Sequence, residues 1–226
     1  MEFDTWEPIY EAICADFGFE REEDERVAAW MAERLGPPDL DRLAFEGDRV
    51  GVVVGAGLDR EAIADLSELD RVVTTADALE RLDVGDIHPS LVVTDLDSTP
   101  ARTCAHTRCG SMVAVHAHGD NEAAIKRWLP RMELRNVVGT TQGAPGSTLV
   151  NFGGFTDGDR AAYLADGLGA DSIELIGWKL GDSTVGAIKQ RKLEWASALL
   201  SELESHRGEH YEALDGHRVT IGELTG

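Results

Sequence analysis

Six short runs rich in β-branched residues recur between residues 50 and 177, each followed by a stretch with helical or turn character. The runs are "VGVVV" (50–54), "VVTT" (72–75), "LVVT" (91–94), "MVAVH" (112–116), "NVVG" (136–139) and "SIELIG" (172–177). Amphipathic segments such as "NEAAIKRWLPRM" and "GDRAAYLADGLG" lie between them. Strands that alternate with helices pair in parallel, because each return to the sheet crosses over through a helix. The pattern predicts an α/β fold: a mainly parallel sheet flanked by helices, Rossmann-like in its layering. In such sheets ligands bind outside the carboxyl ends of the strands. The polar motifs of this chain fall just after those strands.

Three units are expected. Residues 1–47 read as a helical cap, with apolar residues three and four apart in "WEPIYEAICADFGF" and "EREEDERVAAWMAERL" and a stop at Gly36, Pro37 and Pro38. Residues 48–206 form the α/β unit and end in a long helix over 183–206. Its apolar face either packs on the core or meets a second subunit, so a homodimer stays open. Residues 207–226 form a tail in which "HRVTIGEL" reads as a final strand.

Composition narrows the function. Nothing approaches the roughly 20 apolar residues of a membrane span. The acidic N-terminus lacks a basic region, so no signal peptide is expected and the cytoplasm is the expected compartment. With 42 acidic against 21 basic residues the net charge is -21, which argues against nucleic acid and anionic membranes as partners. Only Lys126, Lys179, Lys189 and Lys192 are lysines. Abundant acid with scarce lysine resembles the proteins of salt-loving archaea, in which salt screens self-repulsion. The odd count of cysteines, Cys14, Cys104 and Cys109, points to reduced thiols. "CAHTRC" (104–109) has no second pair to complete a zinc site.

Four motifs carry chemistry. After the first strand, Gly55-Ala56-Gly57 suits a tight turn beside a nucleotide, although Arg60 replaces the third glycine of a dinucleotide fingerprint. After the third, Asp95 and Asp97 stand two apart, on one face if the backbone stays extended. Such a pair repels itself unless a proton or cation intervenes, and hard oxygen ligands suit Mg²⁺. A solvated acidic loop is the alternative. After the fourth, "HAHGDN" (116–121) sets His116 and His118 on one face, then Asp120 and Asn121 where a helix needs a cap. No third ligand completes a zinc site there. "GTTQGAP" (139–145) follows another strand. In "NFGGFTDGDRAA" (151–162), Gly153-Gly154 permit close backbone approach. Thr156 and Asp159 fit a helix-opening capping box, which leaves Asp157 and Arg160 for ligand contact. Together these motifs describe one crevice suited to phosphoryl chemistry with a divalent metal.

Taken together, "GAG" (55–57), "TAD" (75–77), "HPSLVVTDLD" (88–97), "HAHGDN", "TTQ" (140–142), "NFGGFTDGDRA" (151–161) and "KQRKL" (189–193) resemble the archaeal 6-hydroxymethyl-7,8-dihydropterin pyrophosphokinases of the MptE type. The resemblance spans roughly residues 48–200, and the catalytic domain of that family is similar to that of thiamine pyrophosphokinases. It implies transfer of diphosphate from the co-substrate ATP to the pterin hydroxymethyl oxygen, with release of AMP, for folate or methanopterin synthesis. Asp95, Asp97 and Asp120 are implied as Mg²⁺ carboxylates. His116, His118, Asn121 and Gln142 are implied as substrate or phosphate contacts. Gly55, Gly57, Asp77, Thr156, Asp157 and Arg160 are implied on the nucleotide and phosphate side. His116, His118 and Asp120 are the candidates for taking the hydroxyl proton. One departure stands out: after "ELIG", where an acid is expected, the chain has Trp178 and Lys179. Lys179 either offers charge to a phosphate or belongs to the surface. The alternative readings are a thiamine-type diphosphokinase and a non-catalytic nucleotide-binding or sugar-transfer relative.

Overall fold

A computed structural model describes residues 1–226. Its strands are β1 (Arg49–Val53), β2 (Arg71–Thr75), β3 (Leu91–Thr94), β4 (Met112–Ala117), β5 (Val137–Thr141), β6 (Leu149–Val150) and β7 (Ser172–Ile176). They form one sheet in the order β6-β5-β4-β3-β2-β1-β7, and every pairing is parallel. The chain steps steadily from β1 to β6 and then crosses back to lay β7 against β1. The order reverses beside β1, which makes that edge the topological switch point.

The runs lack a polar alternation because both faces of the sheet are covered. Val50, Val52, Leu91, Val93, Met112 and Ala114 face one layer of helices: α1 (Phe3–Phe17), α7 (Asp157–Gly167) and α8 (Ala187–Arg207). Val92, Val113, Val115 and Ala117, one residue out of step, face α2 (Arg21–Ala32), α5 (Pro100–Cys109) and α6 (Glu122–Trp128). Val53 and Val72 meet Leu58, Leu66 and Leu82 around α3 (Arg60–Asp65) and α4 (Leu79–Val84). The period-2 alternation of a strand thus sorts neighbouring residues into opposite cores.

The N-terminal segment is helical as its spacing predicts, but its two helices divide between the layers. Trp6, Tyr10 and Ile13 of α1 enter one core, while Val27, Ala28 and Met31 of α2 enter the other. The apolar face of α8 packs inward through Trp195, Leu199, Leu200 and Leu203. The tail corrects one expectation. "HRVTIGEL" holds no strand; it ends in α9 (Ile221–Thr225), where Thr220 and Glu223 form a capping box. The alternation in that segment is overridden by helix-start chemistry, a Thr followed three residues later by Glu. No helix is long and apolar enough to cross a membrane.

Candidate active site

A cavity of about 680 Å³ opens at the carboxyl edge of the sheet. Its floor is the row of loops that follow the strands: Val54 and Ala56 after β1, Asp77 after β2, Asp95 and Asp97 after β3, and His118, Gly119 and Asp120 after β4. Gln142 follows β5, and Trp178 and Lys179 follow β7. The loops expected from the sequence therefore do converge on one crevice.

Asp95 lines it and is half-buried. Its Oδ1 accepts the Asp97 amide at 3.0 Å, and its Oδ2 lies 3.5 Å from His118 Nε2. The two acids do not share a face through extended backbone as expected. Leu96 between them adopts φ 69°, a left-handed conformation, so the chain turns at the strand end and Asp97 is exposed. Burial opposes the charge of Asp95, yet donation from His118, the Asp97 amide and the Asp97 carboxyl holds it below the usual carboxylate range. Burial, then the charge of Asp95, pushes Asp97 up.

Asp157, at the first position of α7, was expected on the nucleotide and phosphate side and not as a neighbour of Asp95. Burial, then Asp95, pushes its carboxyl up to about 7, while Arg160 and the Asp95 amide pull it back. Arg160 is only 4% exposed; it donates to Asp157 Oδ1 at 3.0 Å and to Phe155 O at 2.8 Å. Burial works against its charge too. With the Gln142 amide oriented to satisfy its neighbours, Gln142 accepts from Arg160 Nη2 at 3.0 Å and donates to Gly154 O at 3.2 Å. Gly154 has φ 93°, and a Cβ there would strike the Arg160 backbone, so only glycine fits. The expected capping box is present: Asp159, fully buried, accepts from the Phe155 and Thr156 amides at 2.5 and 2.9 Å and from the Thr156 hydroxyl. Those bonds fix the first turn of α7, and with it Asp157.

His116 is buried, and its ring stacks toward His118 with centroids 6.0 Å apart. His116 Nδ1 lies 3.0 Å from the Thr140 hydroxyl, which in turn lies 3.4 Å from Val115 O. Burial, then Arg160 and His118, depress the imidazole pKa. Its Nε2 is buried without a hydrogen-bond partner.

Several expected contacts serve the protein itself. Asn121 uses its whole side chain: Oδ1 accepts from the His118 amide at 3.1 Å, and Nδ2 donates to Asp95 O at 2.8 Å and His116 O at 2.7 Å. It clips the ends of β3 and β4 together and does not line the cavity. Gly55 and Gly57 make room for protein atoms. A Cβ on Gly55 would lie 2.7 Å from the Asp77 carboxylate, and one on Gly57 would lie 2.9 Å from Gly177 O. Of that turn only Ala56 faces the cavity, beside Asp77, whose carboxylate accepts from the Gly55 amide and the Thr75 hydroxyl. Asp120 lines the cavity and is exposed.

Two walls go beyond the expected site, and of their residues only Lys179 was singled out, as either a phosphate contact or a surface residue. One is the α1–α2 hairpin, which contributes Tyr10, Phe19, Glu23 and Asp24. Asp24 secures it, accepting from Tyr10 Oη at 2.6 Å and from the Gly119 amide at 2.7 Å. The other is Lys179 together with Lys189 and Lys192 at the start of α8. Three of the four lysines in this acidic chain line one cavity, and their scarcity was the signal that could have found them.

No three acid, histidine or cysteine side chains converge as a ready-made metal cage. The donor set nonetheless fits a hard divalent cation: the charge of Asp95 pushes the carboxyls of Asp97 and Asp157 up, and a cation among them would relieve that crowding. Mg²⁺ usually takes one or two carboxylates and completes its shell with water and substrate phosphates.

Fold and site together define an α/β protein with a crevice of crowded carboxylates, lysines and a buried arginine at the carboxyl edge of a parallel sheet. Residues 35–184 match the family model described as MptE-like, 6-hydroxymethylpterin diphosphokinase. The chain belongs to this family. It is 38% identical over 225 residues to the 6-hydroxymethyl-7,8-dihydropterin pyrophosphokinase of Methanothermobacter thermautotrophicus, covering 90% of this chain and 96% of that one. Proteins of the same name from Pyrococcus furiosus and Methanocaldococcus jannaschii are 33% and 34% identical, with 91% and 90% of this chain and 96% of each relative covered.

Proposed function

We propose that this protein transfers the diphosphate group of ATP to the hydroxymethyl oxygen of 6-hydroxymethyl-7,8-dihydropterin and releases AMP, in the pterin branch of folate or methanopterin synthesis. The observation that carries this reading is the gathering of Asp95, Asp97 and Asp157 at the floor of a cavity whose wall holds Lys179, Lys189 and Lys192. The names of the relatives supply the substrate class.

The hydroxymethyl oxygen attacks the β-phosphorus as the bond from that phosphorus to the α,β-bridging oxygen breaks, and AMP departs with the electron pair. Such a reaction needs positioning and charge stabilisation more than a protein nucleophile. Asp95, Asp97 and Asp120 would hold Mg²⁺, with Asp157 an additional acid beside Asp95. When bound, the cation neutralises charge on the transferring phosphates. Arg160, clamped by Asp157, Phe155 and Gln142, keeps a fixed positive charge under the site. The three lysines reach the phosphates from the wall. His118, half-buried beside Asp95, and Asp120 are positioned to take the hydroxyl proton. Ala56 and Asp77, at the switch point, line the nucleotide side.

Asp95→Asn keeps shape and removes charge. It is expected to lower AMP release at least about a hundredfold with an unchanged circular dichroism spectrum. Near wild-type AMP release from this variant would contradict the assignment of the floor carboxylates and favour a non-catalytic relative.

A further inference from the structure

The α1–α2 hairpin does more than close one side of the cavity. Asp24 spends both carboxylate oxygens on protein donors: Oδ2 accepts from Tyr10 Oη at 2.6 Å, and Oδ1 accepts from the Gly119 amide at 2.7 Å. Gly119 opens the short helical turn Gly119–Asn121 after β4, and the first amides of a helical turn have no partner inside it. Asp24 supplies that acceptor from 95 residues away in the chain. The approach is close. A Cβ on Gly119 would lie 2.9 Å from Glu23 Cβ, so the hairpin meets the loop where a glycine leaves room. On its inner side Asn121 grips the same turn, through Asp95 O, His116 O and the His118 amide. The loop is thus held from both sides. His118, whose Nε2 lies 3.5 Å from Asp95 Oδ2, precedes Gly119, and Asp120 follows it into the cavity. The hairpin also fastens the next loop, since Trp6 Nε1 donates to Gln142 O at 3.0 Å.

We infer that Asp24 is a positioning residue: through the Gly119 amide it holds His118 and Asp120 in place against Asp95 for the transfer, and it acts without touching either substrate. This rests on the reaction proposed above. A carboxylate on the cavity wall repels phosphates, so its place there is explained by the turn it fixes. Hydrogen bonds to an ionised acceptor are roughly twice as strong as neutral ones. That strength matters for this loop, because misplacing reacting groups by about 1 Å lowers turnover about a hundredfold.

The test uses the full chain at molar salt with ATP, Mg²⁺ and 6-hydroxymethyl-7,8-dihydropterin. Asp24→Ala removes the acceptor. It is expected to lower kcat about tenfold to a hundredfold, while KM for both substrates stays within about threefold. Asp24→Asn keeps an oxygen for Gly119 and offers Tyr10 Oη an N–H, so it should recover kcat to within about threefold of wild type. Amide hydrogen exchange followed by NMR reads the bond itself. Gly119 should lose protection in Asp24→Ala and keep it in Asp24→Asn, while the central amides of β4 stay protected in both. Gly119→Ala keeps the amide but drives a methyl against Glu23, and it should show the same selective loss of kcat; it carries the test if Asp24→Ala does not fold. Wild-type kcat in Asp24→Ala overturns the inference. So does a raised KM with kcat intact, which would make Asp24 a ligand contact, or equal loss in Asp24→Asn and Asp24→Ala, which would make its charge the essential feature. Protection lost across β4 would make its role structural and overturns it too. A wild-type protein that forms no AMP with the pterin overturns the reaction and the inference with it, and differs from the other outcomes in that the unaltered chain is itself inactive.

Discussion

Three acids crowd the floor of the crevice, and each meets the crowding differently. Asp95 keeps its charge through His118 and the Asp97 amide, while Asp97 and Asp157 are pushed toward protonation. In the metal-free protein the folded state therefore retains a proton on Asp157 between about pH 4 and pH 7 that the unfolded chain gives up. Stability falls as pH rises through that window. Asp157→Asn, which still offers Arg160 an acceptor, should match the wild type near pH 4 and exceed it above pH 7. The gain should be on the order of 1 kcal/mol or more, read as thermal melts in chelator at several pH values. A constant difference across that range would show that Asp157 does not titrate as described. The acids after β3 were legible because a buried run ends in a polar pair. The partnership of Asp157 with Asp95 was not, since 62 residues separate them in the chain and only the fold joins them. The role of Asn121 was equally hidden, because a donor-rich side chain at a helix start looks alike whether it serves a ligand or the backbone.

Secondary structure carried most of the fold in the sequence. Six of the seven strands were readable as apolar runs, and β6 was missed because its two residues are too few to show a pattern. The helix starts divide by capping chemistry. Thr156 with Asp159 announced α7, whereas Thr220 with Glu223 announced α9 and lost to an apparent alternation. α7 carries Asp157 and Arg160 into the site, so its first turn matters most. Asp159→Ala would orphan the Phe155 and Thr156 amides beside a buried arginine. It should cost about 2–4 kcal/mol, measured by denaturant unfolding. A loss under about 1 kcal/mol would mean that water replaces the carboxylate and the turn is not held as described. The hairpin α1–α2 was legible as helix but not as cavity wall, because periodicity tells which face is buried and not what the other face encloses.

At the scale of the whole molecule, the parallel sheet gathers its loops at one edge and the charge acts everywhere. A net charge of -21 destabilises the compact state through self-repulsion, which salt screens. The melting temperature should rise by at least about 5 °C between 0.1 M and 2 M KCl, and a flat or falling profile would contradict that reading of the composition. On the proposed reading the same field would oppose ATP at long range, and the local positive charge of Lys179, Lys189, Lys192 and Arg160, with a divalent cation, would reverse it at the crevice. The reaction proposed for this crevice is the transfer of a diphosphate from ATP to a hydroxymethylpterin. Its most direct measurement is AMP formation by the full chain at molar salt with ATP and Mg²⁺, in parallel reactions with 6-hydroxymethyl-7,8-dihydropterin, with thiamine, and with no acceptor. AMP that appears only with the pterin, in equal amount to the pterin diphosphate, is the expected result. AMP formed with thiamine alone, or in none of the three reactions, would contradict the claim.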